Sequence, residues 1–185
     1  DPGLVGNLLL DRLVGAELHL ITSKQYFERD GIISELLDSL RERGKRPYNV
    51  PEGGSNALGS WGYLDAAREI LQQIEDQGLE ITDIVHACGS GGTTAGLSLG
   101  LHLAGSSIRV HPVNVCWDPP HFYRRMAGIF SEMGTNSTRS DVAEPAELVD
   151  MMDGYVGLGY ARSRPEEIAL LRDTSIETGI ILDPV

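Results

Sequence analysis

The stretch Ile84-Val85-His86-Ala87-Cys88-Gly89-Ser90-Gly91-Gly92-Thr93-Thr94-Ala95-Gly96 constrains this chain more than any other: an apolar run breaks into glycines and then resumes with helical spacing. It reads as a strand feeding a glycine-rich turn at the start of a helix. Glycine lets the backbone turn sharply and bring several N–H groups onto one anion, and the helix N-terminus adds roughly half a positive charge. Ser90, Thr93 and Thr94 add hydroxyl donors within the same turn. Glycine-rich turns also serve as plain connections without a ligand, so spacing alone leaves both readings open.

Two familiar phosphate loops are absent. A nucleotide P-loop needs Lys followed by Ser or Thr after its last glycine, and Lys24 and Lys45 stand in no such setting. The dinucleotide fingerprint wants a third small residue where Thr94 sits, and no clear ribose-binding acid closes a strand about twenty residues on. The loop suits a single phosphate better than a dinucleotide.

A length of 185 residues fits one core, or most of one large domain with part of another. Asp1-Pro2-Gly3 carries no initiating methionine, and Ile180-Ile181-Leu182-Asp183-Pro184-Val185 stops just after an apolar run, so the expectation is a segment of a longer protein, with no internal boundary assigned. The net charge of −12 argues against nucleic acid and anionic membranes as partners, and favours a small soluble ligand. Cys88 and Cys116 lie in apolar runs, which suits reduced thiols in an intracellular protein, and no His/Cys spacing suggests a metal site. No apolar run approaches the ~20 residues of a membrane span. The expected location is intracellular, cytoplasm or mitochondrion.

In chain order, Gly3 to Leu13 reads as a helix with Asn7 as a candidate cap, Ala16 to Ile21 as a strand, Ser23 to Gly44 as one helix, and Arg46 to Val50 as a strand. A second glycine-rich turn, Glu52-Gly53-Gly54-Ser55-Asn56-Ala57-Leu58-Gly59-Ser60, follows. Ligands collect at the carboxyl ends of strands in open α/β sheets, so this turn and the first can face one crevice; Ser55 and Asn56 serve equally as plain helix caps. Trp61, Leu64, Ala67, Ile70, Leu71 and Ile74 mark one helical face. After the central strand comes a helix from Thr93 to Ala104, whose Gly96 and Gly100 suggest close packing against the sheet. Ile108 to Trp117 reads as a strand. A helix from His121 to Met133 follows, with Phe122, Met126, Ile129, Phe130 and Met133 on one face. Thr135 to Glu147 reads as a loop or helix start, Val149 to Met152 as a short helix, Gly154 to Tyr160 as strand-like, Pro165 to Glu177 as a helix capped by Gly179, and Ile180 to Leu182 as a strand. The alternation predicts an α/β fold: an open parallel sheet with helices on both faces.

Several stretches together resemble one family, the fold-type II pyridoxal-phosphate enzymes of the D-cysteine desulfhydrase and 1-aminocyclopropane-1-carboxylate deaminase group. They are Gly6-Asn7-Leu8-Leu9-Leu10-Asp11-Arg12-Leu13-Val14-Gly15-Ala16, Pro47-Tyr48, Gly53-Gly54-Ser55-Asn56-Ala57-Leu58-Gly59, the loop from Gly89 to Thr94, and Ile181-Leu182-Asp183-Pro184-Val185. The resemblance is closest to the D-cysteine desulfhydrase branch and implies a tryptophan synthase beta-like fold. It implies that Gly89, Ser90, Gly91, Gly92, Thr93 and Thr94 hold the phosphate of pyridoxal 5'-phosphate, with Ser55 and Asn56 as an active-site wall. It places the Schiff-base lysine before the matching region and a catalytic tyrosine just after Val185, so no catalytic residue falls within the segment. Lys24 and Lys45, in polar contexts, read as solvated amines. The implied substrate is a small amino acid: D-cysteine, giving pyruvate, hydrogen sulfide and ammonia, or alternatively the cyclopropane amino acid, giving 2-oxobutyrate and ammonia. A homodimer is implied for the complete enzyme. A non-catalytic binder of a small phosphorylated ligand is the competing reading.

Overall fold

The computed structural model describes residues 5–134 and 144–184. The chain divides into two compact units, Asp1–Val50 and Pro51–Val185.

The first unit holds α1 (Gly6–Leu13), α2 (Ser23–Tyr26) and α3 (Arg29–Glu42). The cap of α1 is Val5, which makes no side-chain capping bond, so Asn7 lies inside the first turn instead of capping it. The expected single helix from Ser23 to Gly44 is two. Thr22 and Gln25 form a reciprocal capping box that starts α2, and the Arg29 side chain donates to the Tyr26 carbonyl at 2.9 Å where α2 stops. Ile32, Ile33, Leu36, Leu37 and Leu40 of α3 are half-buried along one face, as their spacing predicts. Gly44 ends that run in the left-handed region at φ 74, with its N–H on Arg41 and that of Lys45 on Leu40. The expected strands Ala16–Ile21 and Arg46–Val50 form no ladder among the described residues. A strand exists only by pairing, Pro47 lacks one donor, and Leu20 and Val50 stand exposed.

The second unit opens with a 3₁₀ turn, Glu52–Gly54, followed by α4 (Ala57–Gln77), β1 (Asp83–Cys88), α5 (Gly92–Leu103), β2 (Arg109–Asn114), α6 (Pro119–Gly134), α7 (Pro145–Leu148) and α8 (Pro165–Thr178). β1 and β2 pair in parallel from Asp83 opposite Arg109 to Cys88 opposite Asn114, with α5 as the crossover between them. The expected short helix at Val149–Met152 is instead an extended segment along the free side of β2. Asp150 N–H donates to Val110 C=O, Met152 N–H to Pro112 C=O, and Asn114 N–H to Met152 C=O. Local periodicity could not show this, because the partner lies about forty residues away. The fold class is therefore the expected α/β arrangement of helices on a parallel sheet.

The core centres on α5, which is apolar all round and buried from Thr94 to Leu101, as a helix covered on every side must be. α6 covers it with Phe122, Met126, Ile129, Phe130 and Met133, all buried. On α4, Ala67 is buried and Leu64, Ile70, Leu71 and Ile74 are half-buried, but Trp61 is exposed. Gly96 and Gly100 face α4 and not the sheet. A Cβ at Gly96 would lie 2.4 Å from Ser60 O and 2.5 Å from Tyr63 Cβ, and one at Gly100 would lie 2.7 Å from Ala67 Cβ.

Further along, β2 stops at Asn114, short of Trp117, because the Asn114 side chain takes the N–H groups of both Cys116 and Trp117 at 3.1 Å and turns the chain. Of Thr135 to Glu147, residues 135–143 lie outside the described residues and Pro145 begins α7. Gly154 to Tyr160 forms turns and Ile180 to Leu182 forms no ladder among the described residues, so neither is a strand. α8 runs as expected and ends on left-handed Gly179 at φ 73.

Where the strands begin, His111 Nε2 lies 2.6 Å from Asp83 Oδ1, and Arg109 lies 2.9 Å from the same oxygen. The hydrogen bond from Thr82 Oγ1, then the one from His111, holds the Asp83 carboxyl below the usual carboxylate range, with Arg109 adding to it. A depressed carboxyl contributes stability above its unfolded value of about 4 and loses it as pH falls toward its native value. Thermal unfolding should therefore show wild type more stable than Asp83→Asn at neutral pH, with the difference closing below about pH 4. Gly96→Ala should cost ~1–3 kcal/mol in urea denaturation, because its Cβ meets backbone. Gly62→Ala, where a Cβ meets nothing within 4 Å, should instead gain up to ~1 kcal/mol of helix propensity.

Candidate functional site: a stitched pair of glycine turns

β1 delivers Cys88 to the carboxyl end of the sheet, and Gly89 and Ser90 bend the chain toward α5. Gly91 caps α5 at φ 91, a left-handed value that glycine adopts without strain. Gly91 and Gly92 are buried and Thr93 is half-buried. The first turn of a helix carries N–H groups with no intrahelical acceptor, so this turn gathers donors at one point.

The second glycine turn lies directly against the first. Ser55, only 5% exposed, donates from Oγ to Ser90 Oγ at 2.7 Å and accepts the Gly92 N–H at 3.0 Å. A Cβ at Gly92 would sit 2.9 Å from Ser55 Cα, and one at Gly53 would sit 2.3 Å from Ser90 Oγ, so contact at this range requires glycine on both sides. Asn56 caps α4 by accepting the Gly59 N–H at 2.8 Å. The two turns are thus in direct contact, with Ser55 at the junction and Asn56 capping the helix that follows it.

Thr94 faces elsewhere. Its side chain is fully buried, with Oγ1 donating to Cys88 Sγ at 3.3 Å and lying 3.3 Å from His86 Nε2. Burial pushes the Cys88 thiol up, against the opposing hydrogen bonds from Thr94 and the Gly91 N–H. Burial likewise raises the Cys116 thiol, whose Sγ donates to Gly89 C=O at 3.2 Å, and lowers His86. These groups are neutral at pH 7 and brace the loop from the strand side. Lys24 and Lys45 are exposed, in agreement with solvated amines.

Arg125 of α6 reaches both turns and is absent from the sequence reading. Nε donates to Ser90 C=O at 3.1 Å and Nη2 to Ser55 C=O at 3.4 Å. Position 125 falls at helical spacing from Phe122 and Ile129, so an arginine on an otherwise apolar face was the signal to find it. Asn114, fully buried, also escaped notice; it donates to Trp117 C=O and, at 2.9 Å, to Asp153 Oδ1. A cavity of about 230 Å³ opens beside the loop, lined in part by Val115, Tyr155, Tyr160, Arg162, Glu167 and Pro184. Val115 joins it to the loop, since a Cβ at Gly89 would touch Val115 at 3.8 Å. Ala161 in its wall holds φ 58, a value uncommon without glycine.

These features define an α/β protein in which two glycine-rich turns, each at a helix start, are joined at the carboxyl end of a parallel sheet. The chain belongs to the pyridoxal-phosphate dependent enzyme family, whose family model matches residues 2–185. It is 42% identical over 189 residues to the mitochondrial bifunctional D-cysteine desulfhydrase/1-aminocyclopropane-1-carboxylate deaminase of Arabidopsis thaliana, covering 100% of this chain and 45% of that protein. It is 34% identical over 153 residues to a D-cysteine desulfhydrase of Klebsiella pneumoniae, covering 83% of this chain and 45% of the relative. The crystal structure of an ACC deaminase homologue superposes with TM-score 0.86 at 32% identity, over 100% of this chain and 55% of that one. The chain spans about half the length of the curated relatives it matches.

Removing the Ser55 hydroxyl leaves the Gly92 N–H without this acceptor. Ser55→Ala should lower stability by ~1–3 kcal/mol in chemical denaturation.

Proposed function

We propose that this chain supplies the phosphate cup and one active-site wall of a pyridoxal 5'-phosphate dependent D-cysteine desulfhydrase, which converts D-cysteine to pyruvate, hydrogen sulfide and ammonia. The observation that carries the reading is the junction of the two turns, where Ser55 Oγ, Ser90 Oγ and the Gly92 N–H converge at the start of α5. A cradle without lysine or arginine in its loop, built from backbone donors at a helix N-terminus, fits a phosphate monoester.

In this reading Gly89, Ser90, Gly91, Gly92 and Thr93 form the cup for the cofactor phosphate. The Ser90 and Thr93 hydroxyls and backbone N–H groups of the turn act as donors, while the Gly92 N–H, bound to Ser55 Oγ, and the Gly91 N–H, bound to Cys88 Sγ, hold the shape of the turn. Thr94 contributes its backbone, because its hydroxyl is turned toward Cys88. Ser55 and Asn56 wall the site. When bound, the cofactor ring supplies an electron sink for bond breaking next to the substrate amine. This chain's residues anchor and orient that ring and keep water from one side of it. The complete protein acts on a small amino acid, as an intracellular homodimer in the cytoplasm or mitochondrion; the mitochondrial plant relative supports the second location. The second reading, deamination of 1-aminocyclopropane-1-carboxylate to 2-oxobutyrate and ammonia, draws on the same relative, which is named for both activities.

Assayed side by side, the full-length protein should release sulfide from D-cysteine faster than it forms 2-oxobutyrate from the cyclopropane amino acid; the reverse preference selects the second reading. In Gly91→Asp a carboxylate enters the turn at a left-handed position and repels the phosphate dianion. Its dissociation constant for pyridoxal phosphate should rise at least about tenfold, ~1.4 kcal/mol. An unchanged constant in a folded variant rejects the cup.

A further inference from the structure

Arg125 is a cation beside the apolar face of α6 that directs two of its donors at main-chain carbonyls. Its neighbours at helical spacing, Phe122 and Ile129, are buried, and it is half-buried itself. The exposed Arg68 and Arg164 of the same unit pair with nearby carboxylates, Asp65 and Glu167. Arg125 instead takes Ser90 C=O and Ser55 C=O, two acceptors that lie 35 residues apart in the chain.

Those carbonyls belong to the two residues whose hydroxyls meet at 2.7 Å. A guanidinium is planar and presents its donors in a rigid fork, so fixing one carbonyl fixes where the other must be. The peptide group is planar as well, so holding Ser90 C=O sets the plane that carries the Gly91 N–H, directed at Cys88 Sγ. The turn is thereby held on both sides of Gly91, the residue with φ 91 from which α5 starts. The charge has a second effect. The sequences of both turns, 51–56 and 89–94, contain no lysine or arginine, so the guanidinium brings a fixed positive charge to the back of a cup otherwise built from dipoles.

We propose that Arg125 is a positioning residue for the phosphate cup: it clamps the two glycine turns in the register at which Ser55 Oγ, Ser90 Oγ and the Gly92 N–H converge. The inference rests on reading the loop as a phosphate site. The contacts of Arg125 with the turns are to backbone, at Ser90 C=O and Ser55 C=O.

The test compares pyridoxal phosphate with pyridoxal, which lacks the phosphate, in equilibrium titrations of the full-length protein after cofactor removal. Wild type should bind pyridoxal phosphate far more tightly than pyridoxal. Arg125→Gln should weaken pyridoxal phosphate about tenfold, ~1.4 kcal/mol, while pyridoxal changes by less than about twofold. Arg125→Lys keeps the charge but loses the fork, and should fall between the two. If Arg125→Gln does not fold, the lysine variant alone decides, by a fall in the ratio of the two affinities. Equal weakening of both ligands, or no weakening of either, overturns the positioning role and leaves the cup reading intact. A wild-type protein that shows no preference for the phosphorylated ligand overturns both.

Discussion

The approach of α4 to α5 at Gly96 and Gly100 governs the geometry of everything at the carboxyl end of the sheet. Each helix begins at one of the two glycine turns, α4 at Ala57 and α5 at Gly92, and the first close contact, Gly96 against Ser60, falls about one helical turn into each. Backbones that touch there leave the preceding turns no room to separate. Side chains at Gly96 or Gly100 would hold the helices apart and carry Ser55 away from Gly92. The seam is thus a spacer whose thickness is set by the absence of atoms, and the meeting of the two turns is its result.

Around that meeting point several polar groups are tied to one another. Asn114 spends its amide on Trp117 and Asp153 and its oxygen on the Cys116 and Trp117 N–H groups, so one buried side chain ties the exit of β2 to a segment almost forty residues later. Cys116 passes that order on to Gly89 through its thiol, and Thr94 ties α5 back to Cys88 of β1. Burial keeps both thiols protonated, which suits them to bracing and not to nucleophilic work. The loop is held from the strand side by these groups and from the helix side by Ser55 and Arg125.

What the sequence revealed and what it hid follow from the range of the interactions. The glycine loop, α4, α5, α6 and α8 were legible because spacing and caps are local, and the Gly179 stop was visible for the same reason. The segment 149–152 was misread because a strand is defined by its partner, and β2 lies far back in the chain. Ala16–Ile21, Arg46–Val50 and Ile180–Leu182 are apolar enough to suggest strands, yet no described residue offers them a ladder. The capping box at Thr22 broke a helix whose apolar pattern ran on across the break. At the site, the turns were found from their glycines, but the reason for Gly53 and Gly92 was not, because closeness to Ser90 and Ser55 is a tertiary fact. Arg125 left only a faint trace, one charged position on an apolar stripe.

The burial of α5 has a consequence for time as well as for place. Its residues from Thr94 to Leu101 are shut away from water, the condition under which amide exchange waits on opening of the surrounding structure. The glycine turn at its head is packed into the same core, with Gly91 and Gly92 buried. In the proposed role of phosphate cup, the ordering entropy of the turn's donors is spent when the chain folds, and the association itself bears little of that cost.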